Sequence, residues 1–302
     1  MIYTVTFNPA IDYLVYVPRL TCGSIIRSEK ERIFYGGKGI NVSLVLRELG
    51  IGSTATGFIA GFTGDAIEKE ISGDGIVTDF VRLKSGFTRI NVKIRSDCET
   101  DINGQGPEIS EDDIKALFEK LSVLGTGDIL VLAGSIPNTL PPDIYEKIME
   151  LLVGKGVRFV VDATKELLVN SLRYKPFLVK PNNDELGEIF GVKIGNYAEA
   201  AEYAAKLRGM GAVNVLVSMG EKGAVLLDEN GEVHTLGVVA GKAVNTVGAG
   251  DSMVAGFIAG YERTSDYGYA LKLGTAAGGA TTFSEGLAKK DDILRCLDSV
   301  FK

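Results

Sequence analysis

From about residue 110 onward the chain alternates continuous apolar segments with segments of helical periodicity, and this rhythm limits the fold more than any other feature. The apolar segments end in polar residues, at 128–135, 158–162, 177–180 and 213–218. Apolar runs without alternation are typical of strands that are covered on both faces. The rhythm therefore predicts an α/β fold with a mostly parallel central sheet and helices on both of its faces.

The first third of the chain predicts further elements of this kind. Residues 2–7 and 53–60 are apolar enough for strands, and a helix that opens at 36–39 lies between them. Gly61 to Gly64 predicts a loop, and the helix after it runs from Asp65 to about Ser72.

Two segments depart from the rhythm. Residues 88–95 alternate strictly between apolar and polar side chains, which predicts a strand with one polar, basic face. Residues 13–34 predict short strands, Ile25-Ile26 among them, with turns at Pro18 and Gly23. Two-faced strands indicate a small sheet with one side open.

Composition narrows the class of protein. With 32 basic and 39 acidic residues the net charge is −7, which argues against nucleic acid as the main partner. No apolar run reaches the roughly 18 residues of a membrane span, and no signal peptide is visible, so we expect a cytoplasmic protein without a membrane partner. Cys22, Cys98 and Cys296 are too dispersed for a zinc site. His234 is the only histidine of the sequence, which argues against a Ser-His mechanism, and we interpret it as a structural residue.

Polar residues are concentrated where the predicted strands end. In parallel sheets ligands bind outside the carboxyl ends of the strands, so this distribution predicts an active site at that edge. The clusters are Asn8 to Asp12, Ser135, Asp162, Lys180 to Glu185, Ser218 to Gly220 and Thr246 to Asp251.

Residues 245–252 lead directly into the apolar stripe of a helix with one buried face. The amides of Gly248, Ala249 and Gly250 would then lie at a helix N-terminus, which attracts anions. Asp251 could accept a proton there, and the helix end is expected to lower its pKa. The alternative is an ordinary acidic residue in a first helical turn.

Other candidate ligands each have a plain structural alternative. Asn182 and Glu185 are three residues apart and could hold hydrated Mg²⁺, or they could form an N-cap with a first-turn glutamate. Basic residues near predicted turns or open strands could bind phosphate or could simply be solvated; they are Arg27, Lys38, Arg89 and Lys93. No complete P-loop is present. The glycine fingerprint of dinucleotide-binding proteins is also incomplete, which disfavours a dehydrogenase.

Taken together, these motifs resemble the ribokinase/PfkB family of carbohydrate kinases. Residues 36–50 and 245–251 resemble its two signatures, and 180–185 resembles its N-x-x-E magnesium motif. Asn245 stands where the family usually has Asp. Residues 6–12, 88–93 and 134–137 resemble the branch of the family that acts on phosphorylated hexoses.

The resemblance implies a ribokinase-like core at 1–10, 35–86 and 104–302, with a β-sheet lid at 11–34 and 87–103. It implies ATP and Mg²⁺ as cofactors, with a monovalent cation as a further candidate, and a homodimer formed through the lid. The implied acceptor is fructose 1-phosphate, which would give fructose 1,6-bisphosphate, and tagatose 6-phosphate or fructose 6-phosphate is the alternative. A non-catalytic sensor of sugar phosphate or nucleotide is the alternative from another class.

The resemblance also implies a role for each matching residue. Asp251 would be the base, with the amides of Gly248, Ala249 and Gly250 as the anion hole. Asp12, Gly37 and Asn41 would bind sugar hydroxyls, and Lys38, Arg89, Lys93 and Ser135 would bind the phosphate already on the sugar. Lys180, Asn182 and Glu185 would serve the nucleotide phosphates and Mg²⁺, with Ser218, Gly220 and Thr246 along the nucleotide.

Overall fold

The computed structural model describes residues 1–238 and 241–300. Its strands, in chain order, are β1 (Ile2–Thr6), β2 (Ala10–Tyr16), β3 (Lys30–Gly36), β4 (Thr54–Ile59), β5 (Val77–Thr78), β6 (Val81–Arg82), β7 (Arg89–Arg95), β8 (Glu99–Ile102), β9 (Ile129–Ala133), β10 (Arg158–Asp162), β11 (Leu178–Val179), β12 (Asn214–Ser218), β13 (Ala224–Leu227) and β14 (Val233–Leu236). Its α-helices are α1 (Lys38–Glu48), α2 (Gly61–Gly73), α3 (Glu111–Leu121), α4 (Ile144–Leu152), α5 (Lys165–Ser171), α6 (Asn183–Phe190), α7 (Tyr197–Met210), α8 (Ala249–Thr264), α9 (Tyr267–Thr282) and α10 (Lys290–Val300).

The large sheet has the strand order β14-β13-β12-β11-β10-β9-β1-β4-β5, and β6 also pairs with β4. Its pairs from β12 across to β5 are parallel, whereas β13 and β14 add an antiparallel edge. Helices α3 to α7 pack on one face and α1, α8, α9 and α10 on the other, each over its own apolar cluster. The predicted fold class is confirmed.

Burial explains why the strands of this sheet read as continuous apolar runs. All five residues of β1 and of β9 are buried, because both faces of these strands are covered by helices. The carboxyl ends of the parallel strands consequently meet at one edge, where Asp162, Lys180 and Ser218 follow or end their strands.

The small sheet has the order β3-β2-β7-β8 and is mixed: β2 and β7 are parallel, and the other two pairs are antiparallel. It is joined to the core through a third apolar cluster, which contains Ile11 of β2 together with residues of α1, β4 and α2. Among the described residues, no helix combines the length and the apolarity needed to cross a bilayer.

Two details of the prediction are wrong. Helix α2 begins at Gly61, not at Asp65, because its glycines serve close packing: a Cβ on Gly61 would lie 2.8 Å from the carbonyl oxygen of Gly86. Ile25 and Ile26 lie outside the strands, in the connection between β2 and β3, and Ile25 is 97% exposed. Local β-branching did not make a strand there because the segment is mostly exposed, with no strand of the described residues paired to it.

Candidate active site

Asp251 lies in the first turn of α8, as the apolar periodicity predicts. The helix has Gly248 as its N-cap, with a φ of +81° and no side-chain capping bond. The amide of Ala249 donates to the carbonyl oxygen of Thr246 at 3.3 Å, so the anion-binding amides of this helix start are those of Gly248 and Gly250, which line the smaller cavity described below. The Asp251 carboxylate is only 5% exposed. Asn41 of α1 donates a hydrogen bond of 2.7 Å from its Nδ2 to Asp251 Oδ2.

Burial decides the acidity of Asp251, and the predicted lowering of its pKa is wrong. Removal from water and, next, the negative charge of Asp162 raise the pKa of Asp251 to about 6. Lys38, the bond from Asn41 and Lys180 oppose this rise without cancelling it. Asp251 is therefore a stronger base than an ordinary aspartate and is still mainly ionised at neutral pH.

The glycines at 36–39 let α1 begin directly against β1. Gly37 has a φ of +144°, which L side chains rarely adopt. A Cβ on Gly39 would lie 2.6 Å from both the carbonyl oxygen of Val5 and the hydroxyl of Thr6. Thr6 Oγ1 accepts a hydrogen bond of 3.0 Å from the amide of Ile40. This close contact fixes the start of α1 and, with it, Lys38 and Asn41 at the strand ends.

Lys38 and Lys180 share the carboxylate of Asp162, the last residue of β10. Lys38 Nζ lies 3.2 Å from Asp162 Oδ2, and Lys180 Nζ lies 3.2 Å from Oδ1. Burial alone would raise the pKa of Asp162, but the two ammonium groups outweigh burial and lower it. The carboxylate thus stays charged although it is 2% exposed.

The small sheet contributes the other side of the site. Asp12 Oδ1 accepts a hydrogen bond of 2.8 Å from Asn91 Nδ2 on the neighbouring strand β7. Arg89, the first residue of β7, donates from Nε to the carbonyl oxygen of Asn8 at 3.1 Å. Burial lowers the pKa of Arg89, and Asp12 partly offsets this. Lys93 forms an ion pair of 3.1 Å with Asp101.

Two cavities meet along this edge. The smaller, about 390 Å³, is lined by residues from both sheets, and the larger, about 1310 Å³, extends between the small sheet and the loops at 243–247 and 285–289. Asp12, Gly37, Asn41 and Val247 line both cavities, so the two adjoin and are treated together as the cleft. Predicted site residues in the smaller cavity are Asp12, Gly37, Lys38, Asn41, Arg89, Lys180, Asn182, Glu185, Ser218, Gly248, Gly250 and Asp251.

Asn182 and Glu185 form the N-terminal cap of α6. Asn182 Oδ1 accepts from the Glu185 amide at 2.7 Å, and Glu185 Oε2 accepts from the Asn182 amide at 2.8 Å. The structural alternative for this pair is thus present. Both residues nevertheless line the smaller cavity, and amide and carboxylate oxygens are ligands that Mg²⁺ accepts, so the donor set fits that ion.

Some predicted residues lie outside the smaller cavity. Thr246 and Lys93 line the larger one. Ser135 is exposed beyond the end of β9, and Gly220 opens a short 3₁₀ turn after β12. Arg27 is exposed in the connection between β2 and β3.

Asp162 and Asn91 also line the smaller cavity. Asp162 was predicted at this edge of the sheet without a role in the site, and Asn91 was not predicted as a site residue. Asp162 carried a usable signal, because it is a charged residue at the end of a buried strand. Asn91 is 6% exposed on the polar face of β7, so the alternation of that strand placed it on the right face without showing its partner.

Asn245 has an evident role in the loop before α8. Its Oδ1 accepts from the amide of Val247 at 3.0 Å, and its Nδ2 donates to the carbonyl oxygen of Glu285 at 3.2 Å. The second bond needs a donor, which the aspartate usual at this position in the family could not supply.

A doubly covered parallel sheet, a buried aspartate at a glycine-rich helix start and clustered lysines define an α/β enzyme suited to phosphoryl transfer. Comparison with known proteins makes the class specific: residues 5–293 match the pfkB family of carbohydrate kinases. The chain belongs to this family. The predicted family and the predicted class of enzyme, a carbohydrate kinase, are confirmed.

Relatives cover nearly the whole chain. It is 47% identical over 300 residues to 1-phosphofructokinase of Bacillus subtilis, covering 99% of this chain and 98% of the relative. It is 39% identical over 290 residues to D-tagatose-1-phosphate kinase of Bacillus licheniformis, and the match covers 95% of this chain and 94% of the relative. Phosphofructokinase-2 of Escherichia coli, solved with fructose-6-phosphate, superimposes with a TM-score of 0.91 at 26% identity, covering 100% and 99%.

Proposed function

We propose that this protein catalyses the ATP-dependent phosphorylation of a ketohexose 1-phosphate, with fructose 1-phosphate as the preferred acceptor and fructose 1,6-bisphosphate as the product. The similarity to 1-phosphofructokinase at 47% identity supports the acceptor. The observation that carries the chemistry is the buried Asp251 beside the open start of α8, because it joins a base to an anion-binding helix end.

The proposed roles follow the geometry of the cleft. Asp251 takes the proton of the acceptor hydroxyl, while the amides of Gly248 and Gly250 stabilise the charge on the phosphoryl group. Asp12 and Asn41 contact sugar hydroxyls. Arg89, on the opposite side of the smaller cavity, binds the phosphate already on the sugar.

The residues proposed to bind the cofactors are chosen by the ligand atoms that their side chains offer. Asn182 and Glu185 would hold Mg²⁺, which when bound neutralises phosphate charge during transfer. Lys180 and Ser218 lie on the same side of the cavity and would contact the nucleotide.

Initial rates with four phosphosugars test the acceptor: fructose 1-phosphate, tagatose 1-phosphate, fructose 6-phosphate and tagatose 6-phosphate. We expect the highest kcat/KM with fructose 1-phosphate and the next highest with tagatose 1-phosphate, since both leave the C6 hydroxyl free. A higher value with either 6-phosphate overturns the choice of acceptor. If a sugar phosphate binds but none of the four is turned over, the protein would instead be a non-catalytic sensor. The rate of the Asp251→Asn variant provides the background for the assay.

We also propose a homodimer formed through the small sheet. The register places Tyr13, Ile33, Val92 and Ile102 on its face opposite to Asp12, and Ile33 and Ile102 are 53% and 58% exposed. Exposed apolar patches of this kind mark association surfaces. Sedimentation should show a dimer that Ile33→Lys converts to monomer; a wild-type monomer at assay concentrations contradicts the proposal.

A further inference from the structure

The two lysines of the site are tied to one carboxylate. Each oxygen of Asp162 lies 3.2 Å from one ammonium group, that of Lys38 or that of Lys180. Asp162 and Lys180 are 2% and 4% exposed, so neither has water to replace its partner. Because one small group holds both ammonium groups, they must lie close together on the core side of the cavity.

The position of this pair relative to α8 is fixed as well. Lys180 Nζ lies 3.2 Å from the point where a Cβ on Gly250 would be, directly against the first turn of the helix. Lys38 passes over Gly134 at the end of β9, with its Cβ 3.7 Å from the corresponding point on that glycine. Its ammonium group is close enough to Asp251 for the two charges to interact.

Arg89 occupies a different place. It starts β7 of the small sheet, donates to the carbonyl oxygen of Asn8, and interacts with the negative charge of Asp12. Lys38 thus interacts with Asp251, whereas Arg89 lines the same cavity from the small sheet.

We propose that Lys38 is a catalytic residue that, with Lys180, contacts the phosphoryl group during its transfer, and that Asp162 is the positioning residue that orients both ammonium groups. The inference rests on the proposed kinase activity and changes the role that the family resemblance implied for Lys38. In the step, the bond from the γ-phosphorus to the ADP oxygen breaks, the bond to the sugar oxygen forms, and the hydroxyl proton goes to Asp251.

The physical reason is charge. The transferring group carries its charge on three equatorial oxygens, and preorganised cations stabilise that charge without reorganising. Asp162 pairs with both ammonium groups, and its ion pair with Lys38 holds that flexible side chain in place. Without it, Lys38 would be free to pair with Asp251 and weaken the base.

Lys38→Met and Arg89→Met, each assayed with fructose 1-phosphate and with unphosphorylated fructose, separate the two roles. Lys38→Met should lower kcat about 100-fold on both acceptors while changing the KM for fructose 1-phosphate less than about threefold. Arg89→Met should raise that KM by a much larger factor than it changes the rate with fructose. If Lys38→Met raises the KM, keeps kcat and spares fructose, Lys38 reads the phosphate already on the sugar and the proposal is overturned.

Assays of the wild-type enzyme distinguish a wrong role for Lys38 from a wrong choice of acceptor. Absence of turnover with fructose 1-phosphate rejects the acceptor, whereas the split between kcat and KM in Lys38→Met, measured on the acceptor that wild type does use, judges Lys38. Lys38 is 41% exposed and its loss leaves the Asp162–Lys180 pair intact, so this variant should fold.

A double-mutant cycle tests the positioning role of Asp162. If Asp162 acts through Lys38, Asp162→Asn should lower kcat strongly in wild type and by at least tenfold less in the Lys38→Met background. If Asp162→Asn lowers kcat by the same factor in wild type and in Lys38→Met, Asp162 does not act by positioning Lys38. If a thermal melt shows that the Asp162→Asn variant does not fold, Asp162→Glu, which keeps the buried charge, replaces it in the same cycle.

Discussion

The two sides of the cleft are built differently. On the core side, Asp162, Lys180 and Asp251 are at most 5% exposed and are held by hydrogen bonds or ion pairs to one another or to α1. On the side of the small sheet, charged residues are partly exposed, and Arg32 and Lys30 of β3 reach across the opening to Glu285 of the core.

This difference separates chemistry from recognition. Buried charges in fixed geometry need no rearrangement when the phosphoryl group moves, which is the property that electrostatic catalysis requires. Exposed ion pairs contribute little energy, so those to Glu285 would not by themselves hold the small sheet in one position. Substitutions on the core side should therefore change kcat, and those on the small sheet should change KM.

The largest expected effect is that of Asp251→Asn. Loss of the general base should lower kcat about 10²–10⁴-fold, with KM and Tm close to those of wild type, since the amide can still accept from Asn41. Steady-state kinetics and a thermal melt measure both. A variant with near-normal kcat would remove Asp251 from the role of base.

Arg89→Met comes next. A charged hydrogen bond contributes about 1.5–3 kcal/mol, so the KM for the sugar phosphate should rise about 10- to 150-fold with kcat within a few-fold of wild type. Arg27→Met is the matched control, because Arg27 is exposed outside both cavities. A fall in kcat instead of a rise in KM would break the proposed division between the two sides.

The acidity of Asp251 gives an intermediate effect. Because the base must be ionised and burial raises its pKa to about 6, kcat/KM should fall as the pH drops through about 6. The positive charge of Lys38 lowers this pKa, so Lys38→Met should move the acid limb to higher pH, whereas Lys115→Met on the surface should leave it in place. An acid limb near 3.8, the ordinary value for aspartate, would show that burial does not set the pKa.

The sequence allowed prediction of most features that depend on local pattern, although the β-branched pair at 25–26 did not form a strand. The doubly covered strands, the start of α8 and the polar strand ends follow from periodicity and composition within short windows. The alternation of β7 likewise separated its polar face from its apolar face. The glycine motif at 36–39 identified a close backbone contact but not its partner, Thr6.

What could not be predicted depends on tertiary pairing. Asp162 is 124 residues from Lys38, and nothing local in either segment indicates that they meet. The pKa of Asp251 was predicted in the wrong direction because the helix end is a local effect, whereas burial and the charge of Asp162 come from the assembled core. The helical start of α2 at Gly61 was missed for the same reason, since its glycines serve contacts with the segment at 86–88.

The smallest expected effect is that of Glu285→Gln, which removes the ion pairs between the small sheet and the core. Exposed pairs contribute about 0–1 kcal/mol, so the KM for the sugar phosphate should rise at most about fivefold with kcat unchanged. The backbone carbonyl of Glu285 would still accept from Asn245, so the loop before α8 should keep its position. Raising the salt concentration should shift the wild-type KM towards that of the variant, because salt screens the same pairs. If Glu285→Gln instead lowers kcat while KM is unaffected by salt, the opening contributes to the chemical step, and the contrast between a fixed core side and an adjustable small sheet does not hold.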